Sequence, residues 1–228
     1  MRRAYFVTGT DTGVGKTFIT AGLAGHYATQ GHSVGVMKPI ETGHEGPGWP
    51  EDALKLHHAA QNDDEQDMVV PYIFQPPVSP WAATKMSGRV IDFSAIIQKA
   101  TDIMARHQIT FIEGAGGLAV PIDEILTMAD IPRQLQIPLI IVSRSGLGTI
   151  NHTVLTVEYA KSRGVDVAGI VMNQHSQELM KRDPSCWHNP AIIEKMTNVP
   201  IIGVVPTVSA LREGPELWTS VGEKIRLG

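Results

Sequence analysis

Short apolar runs recur along the chain, separated by longer segments in which apolar residues return every three or four positions. Ala4–Thr8, Ser33–Met37, Thr110–Glu113, Leu139–Ser143, Val167–Met172 and Ile201–Val205 are rich in valine and isoleucine and lack polar alternation. That pattern predicts strands covered on both faces. Between them, Lys16–Gln30, Asp92–His107, Ile131–Leu135, Ile150–Arg163, Ala191–Thr197 and Leu217–Arg226 read as helices, with Gly31 and Gly164 where C-terminal caps belong. Leu217, Val221 and Ile225 recur every four residues, which predicts a helix packed on the core rather than a membrane anchor. Strand alternating with helix gives an α/β fold, a mostly parallel sheet flanked by helices on both faces, built by residues 1–228 as one domain. Ligands of such a sheet gather beyond the carboxyl ends of its strands, so the residues just after each apolar run carry the chemistry.

Directly after the first run comes Gly9-Thr10-Asp11-Thr12-Gly13-Val14-Gly15-Lys16-Thr17, and then a helical pattern. This is a variant phosphate loop. The strict motif has four residues between its first glycine and the Gly-Lys pair, whereas five separate Gly9 from Gly15. Its glycines free backbone N–H groups to cradle phosphate oxygens at a helix N-terminus. Lys16 is placed to neutralise the terminal phosphates, and the Thr17 hydroxyl to complete a magnesium shell. A plain glycine-rich turn does not call for Gly-Lys-Thr in this strand-to-helix setting.

Two further strand ends add charged groups. Lys38-Pro39-Ile40-Glu41-Thr42-Gly43 follows the second run, and Asp52 opens a helical segment soon after. Taken alone, Lys38 reads equally as a solvated strand-end lysine and Asp52 equally as a helix cap. Phe111-Ile112-Glu113-Gly114-Ala115-Gly116-Gly117 follows the third. A carboxylate at the end of a buried strand costs several kcal/mol, on the order of charge burial, unless a metal or cation partners it. Glu113 therefore needs a metal or a cationic partner, and a carboxylate here is the usual second magnesium anchor of phosphate-loop proteins.

Composition narrows the field. Hydrophobic residues make up 43% and charged residues 18%, the balance of a globular domain. The formal net charge of −4 offers no general attraction to nucleic acid or anionic membrane. One cysteine, Cys186, makes neither an intramolecular disulfide nor a multi-thiolate zinc site and reads as a bystander. The four-residue apolar run before Thr8 is too short for a signal peptide, and no stretch approaches the roughly 20 apolar residues of a membrane span. The expected compartment is the cytoplasm. His57-His58 adjoin on a helical segment and point apart, and Asp63-Asp64-Glu65 with Asp67 reads as a solvated acidic turn.

Taken together, the phosphate loop, Lys38-Pro39 with Thr42-Gly43, Glu113-Gly114-Ala115-Gly116-Gly117, Gly148-Thr149-Ile150-Asn151-His152, Met172-Asn173 and Gly203-Val204-Val205-Pro206 resemble, in order and spacing, the dethiobiotin synthetase family. The resemblance covers almost the whole chain and implies a phosphate-loop NTPase fold. It implies an ATP-dependent cyclo-ligase that closes a cyclic urea on 7,8-diaminononanoate with carbon dioxide, in biotin biosynthesis. It assigns Thr12, Gly13, Val14, Gly15, Lys16, Thr17 and Phe18, with Gly114, Ala115 and Gly116, to the ATP phosphates. Thr17, Asp52 and Glu113 then arrange magnesium, with Asp52 and Glu113 also facing the nucleotide. Asn173, Gln174, Pro206, Thr207 and Val208 frame adenine. Lys38 is the catalytic lysine beside the carbamate and γ-phosphate, with Lys16 as its cationic partner. Thr42 contacts the diamine, and Thr149, Ile150 and Asn151 hold the substrate carboxylate across a homodimer interface.

The pattern departs at Gly13, often acidic in the family, and at Ser145, where some relatives carry a lysine. The stretch 174–189 matches poorly: relatives place a substrate-contacting tyrosine near there and this chain offers only Trp187 and His188, so that stretch receives no role beyond Gln174. Two rival readings share the fold. A ParA- or MinD-like ATPase switch, acting through partner binding, carries an extra lysine early in its loop, where Asp11 stands here. A cobyrinate-type amide synthase needs a glutaminase portion with a nucleophilic cysteine, for which the chain has no room.

Overall fold

The computed structural model describes residues 2–208 and 214–227. In chain order the elements are β1 (Arg3–Gly9), α1 (Lys16–Thr29), β2 (Val34–Met37), β3 (Ile40–Thr42), α2 (Glu51–Ala60), α3 (Gln66–Val69), β4 (Tyr72–Phe74), α4 (Pro80–Ser87) and α5 (Phe93–Arg106). Then follow β5 (Ile109–Gly117), α6 (Asp130–Leu135), β6 (Leu139–Arg144), α7 (Thr149–Ser162), β7 (Val167–His175), α8 (Gln177–Arg182), α9 (Ser185–Thr197), β8 (Ile201–Pro206) and α10 (Pro215–Gly222). The expected α/β architecture is present. The six predicted strands form one sheet in the order β2-β5-β1-β6-β7-β8, every pair parallel.

Because side chains alternate along a strand, each strand feeds two cores. In β1, Tyr5 and Val7 enter one core and Phe6 the other; in β7, Val171 enters the first, Ile170 and Met172 the second. The first core is closed by α1, α2 and α10 through Ile19, Leu23, Leu56, Trp218 and Val221. The second is closed by α4, α5, α7 and α9 through Ala83, Ile96, Ile103, Val157 and Ile193. Double coverage is why the strands read as unbroken apolar runs. The helix ends also follow the sequence: Gly31 and Gly164 adopt φ of 82° and 71° just beyond α1 and α7.

Several expectations change. The helix expected over Leu217–Arg226 stops at Gly222. The chain then turns, Arg226 N–H donates to Ile202 O (2.8 Å), and Ile225 bridges to Gly203, so Ile225 reaches the core from the sheet edge rather than from a helix. The helix expected from Ala191 begins at Ser185 and carries Pro190 inside it. The acidic turn is only partly solvated: Asp64 is half-buried with its carboxylate covered, accepting from His107 Nε2 (2.8 Å), while Asp67 pairs with Lys99. A small second sheet, β3 beside β4, was not expected. No helix among the described residues is long and apolar enough to cross a membrane.

Candidate active site

The phosphate loop leaves β1 at Gly9 and reverses through Gly13 (φ 73°) and Gly15 (φ 90°) into α1. Val14 is fully buried and anchors the loop in the first core. No side chain caps α1, so its first-turn N–H groups are left for an anion. Gly15 is constrained twice: its φ is left-handed, and a Cβ there would lie 2.1 Å from Asn173 Nδ2. That amide donates to Val14 O (2.9 Å) and clamps the loop from β7. Asn173 therefore holds the loop itself, whatever it offers a base. At the tip Asp11 Oδ1 accepts from Thr12 N–H (2.7 Å), and Asp11 Oδ2 lies 3.6 Å from an Arg144 nitrogen.

Beside the loop, the carboxyl ends of β2 and β5 bring together the residues that the sequence marks. Lys38 Nζ donates to Asp52 Oδ2 (2.9 Å) and to Glu113 Oε1 (2.5 Å), and Thr17 Oγ1 donates to the same Glu113 oxygen (2.8 Å). Lys38 is buried and is no solvated strand-end lysine. Burial opposes its charge, but Glu113 and Asp52 outweigh burial and raise its pKa. Asp52 sits lower than an ordinary aspartate, because Lys38 and then Thr17 outweigh its own desolvation. Lys16 is also buried; desolvation lowers its pKa against the pull of Glu113. The nucleotide end of the site thus holds two buried ammonium groups before any phosphate arrives.

Magnesium is the metal that the motif implies, and the donor set fits it. Glu113 is fully buried, and its Oε2 has no hydrogen-bond partner among the described residues. An orphaned buried carboxylate oxygen is costly, and a cation is a partner of the right charge for it. Thr17 and Asp52 complete an all-oxygen set of the kind hard divalent cations prefer.

The glycines after Glu113 have structural causes as well. β5 bulges there, since Val7 pairs with Glu113 but Gly9 with Gly117. A Cβ at Gly114 would meet the Phe6 ring at 2.9 Å, Gly116 has φ 67°, and Ala115 packs on the second core. Phe18 lies edge-on to Trp218, with ring centroids 6.0 Å apart. β7 pairs with β8 so that His175 lies opposite Pro206, with Asn173 and Gln174 (exposed, φ 58°) at a register shift just before it and Thr207 and Val208 just beyond the end of β8. Thr42 ends β3, half-buried.

Thr149, Ile150 and Asn151 open α7 beyond β6, after Gly148 at φ 90°, and no side chain caps that helix. Thr149 Oγ1 is spent on Arg144 O (2.6 Å) and its N–H on Gly146 O (3.2 Å), so the N–H groups of Ile150 and Asn151 are what the helix presents. A cavity of about 630 Å³ runs from the loop residues Asp11 and Thr12 to His152, Leu155 and Tyr159 of α7.

One residue carries a role that its sequence motif did not disclose. Glu41 of β3 accepts from the backbone N–H groups of Asp52 and Ala53 (both 3.1 Å). The residue before α2 is Pro50, which has no side-chain cap to offer, so Glu41 caps the helix from another element and fixes Asp52. The only signal was a glutamate next to an apolar strand, and its partner lies 11 residues away.

Comparison with known proteins agrees with this geometry. A family model described as an AAA domain matches residues 3–214. A protein of Anaeromyxobacter sp. (strain K), named ATP-dependent dethiobiotin synthetase, is 40% identical over 225 residues, covering 98% of this chain and 99% of the relative. One of the same name from Bacillus thuringiensis (strain Al Hakam) is 38% identical over 98% of this chain and 91% of its own length. Among solved structures, the septum site-determining protein MinD with Mg-ADP from Pyrococcus horikoshii OT3 superposes with a TM-score of 0.58, covering 98% of this chain and 95% of that one. A ParA family ATPase from Chlorobium tepidum TLS gives 0.56, covering 98% and 91%. At 16% and 14% identity these two show the phosphate-loop NTPase fold alone. With such identity sustained over nearly the whole chain, and with the loop, Lys38 and Glu113 brought to one place, the chain belongs to the ATP-dependent dethiobiotin synthetase family.

Proposed function

We propose that this protein carboxylates 7,8-diaminononanoate with carbon dioxide and closes the ring to dethiobiotin, converting ATP to ADP and phosphate. One amine takes up carbon dioxide as a carbamate. A carbamate oxygen attacks the γ-phosphorus and ADP leaves. The second amine then attacks the mixed anhydride carbon, expelling phosphate and losing a proton. The observation that carries this reading is the Lys38–Glu113–Thr17–Asp52 cluster beside the phosphate loop, with its unpartnered Glu113 oxygen.

Two anions, the carbamate and the γ-phosphate, have to meet. Lys38 and Lys16 are suited to offset their repulsion and the charge that develops in transfer. Thr17, Asp52 and Glu113 would hold magnesium, which neutralises phosphate charge when bound. The loop N–H groups orient the phosphates, and Asn173, Gln174, Pro206, Thr207 and Val208 border the base. Thr42 would meet the diamine, whose alkyl chain has room in the cavity leading to α7. The α7 N-terminus then receives the substrate carboxylate from a neighbouring subunit. Leu147 and Leu155, both largely exposed near that terminus, support a homodimer in which a second copy covers them. The expected setting is biotin biosynthesis in the cytoplasm.

The test is to incubate the protein with Mg-ATP, bicarbonate and the diamine, following ADP release and product mass. Equal amounts of ADP and dethiobiotin, with neither formed when the diamine is omitted, are expected. Slow ADP release indifferent to the diamine, with no ureido product, would sink the reading and favour an ATPase switch.

A further inference from the structure

Residues 183–189, the entry to α9 and its first turn, line neither the phosphate loop nor the cavity. Their side chains nevertheless converge on one target. Asn189 is buried, and its Nδ2 donates to Ser145 O (2.8 Å) and Gly146 O (3.2 Å). Asp183 Oδ2 accepts from Leu147 N–H (2.5 Å), while its Oδ1 accepts from Ser185 N–H and Oγ. Three successive residues of the loop that feeds α7 are therefore held from α9 and its entry. The same loop is tied to the nucleotide side, because Ser145 Oγ donates to Asn173 O (2.9 Å) and Asn173 Nδ2 reaches Val14. A Cβ at Gly146 would meet Asp183 Oδ2 at 2.8 Å, so the loop is shaped to this clamp. Within the protomer Leu147 is 87% exposed and does not anchor the loop, so the polar bonds to Ser145, Gly146 and Leu147 fix its course there.

We infer that Asn189 and Asp183 are positioning residues for the substrate carboxylate, acting by fixing the loop that aims the first-turn N–H groups of α7. The inference rests on the proposed ligase reading. A helix terminus binds an anion through the direction of its N–H groups, and a displacement of about 1 Å can forfeit most of that gain. Removing the Asn189 amide takes the donor from the buried Ser145 carbonyl and leaves Gly146 O with Thr149 N–H alone, so the loop must move for Ser145 O to find water.

The experiment compares the wild-type enzyme with Asn189→Leu and Asp183→Leu, and with Asp183→Asn, which keeps an acceptor for Leu147. Steady-state constants are measured with the diamine and with its methyl ester, which lacks the anionic carboxylate. Both leucine variants should raise KM for the diamine about tenfold, the scale of one charge-assisted hydrogen bond. KM for ATP should stay within about twofold, Asp183→Asn should behave like wild type, and the ester should be used equally by all. Diamine and ATP constants that move together, or an ester as sensitive as the acid, would show a merely structural role and overturn the inference. An unchanged diamine KM overturns it as well. If one leucine variant fails to fold, the other carries the same comparison. A wild-type enzyme that makes no ureido product fails the ligase reading instead, and is told apart by that control.

Discussion

Lys38 stands between two carboxylates in a site where neither the lysine nor Glu113 meets water. In the proposed reaction its ammonium would face both reacting anions. Lys38→Gln should lower turnover by roughly 10²–10³, the cost of one electrostatic stabiliser, while ATP still binds. Single-turnover and nucleotide-binding measurements separate the two effects; unchanged turnover removes Lys38 from the mechanism. Lys38, Glu113 and the loop were legible in sequence because each ends or follows an apolar strand. Glu41 was not, because its role depends on α2 folding back against β3. Burial raises the Glu41 pKa above 4.5, against Lys38 and the two N–H bonds. A raised acid pKa means the native state holds the proton more tightly, so stability present at low pH is lost as pH rises from 4.5 through the folded value. Glu41→Gln removes that loss at the expense of one cap bond. Thermal midpoints from about pH 4 to about pH 8 should then fall less steeply in the variant than in wild type, and parallel curves would refute the argument.

At the scale of elements, α1 and α10 approach as closely as helices can. A Cβ at Gly25 would lie 2.4 Å from Trp218 Cβ, one at Gly22 would lie 2.2 Å from Val221, and one at Gly222 would lie 2.2 Å from His26. Gly25→Leu should cost about 1–3 kcal/mol from overpacking, more than the gain of under about 1 kcal/mol in helix propensity. Urea unfolding reads the difference, and an unshifted or raised midpoint would mean the helices part freely. Strands in the main sheet were legible because burial on both faces leaves valine and isoleucine little competition. Strands β3 and β4 were not, since three residues each carry no period. Nor was the end of α10: Ile225 keeps the four-residue spacing but reaches the core through a bridge to Gly203. The clamp at Asp183 and Asn189 was hidden for a like reason, because polar side chains that bind backbone carbonyls leave no hydrophobic pattern.

For the molecule as a whole, the site is a junction of elements far apart in sequence. Thr17 opens α1, Asp52 opens α2, Lys38 follows β2 and Glu113 lies in β5. A ligand that holds them together stabilises the fold by mass action, about 2.7 kcal/mol at a hundredfold excess over Kd. A non-hydrolysable ATP analogue with magnesium should therefore raise the thermal midpoint by about 5–10 °C. Chelating the metal or introducing Glu113→Gln should shrink that rise; equal shifts in all three would detach Glu113 from the metal. The central position of β1 has another consequence. Its two neighbours are β5 and β6, so both edges of the strand that carries the phosphate loop are paired only once residue 144 has been made. Until then Phe6 and Val7 have at most β5 beside them, and the core around them is incomplete. The strand behind the loop is thus completed well after the loop itself has been made, and a product that stops before β6 is left with an unpaired apolar edge, open to chaperones before it is shaped for a nucleotide.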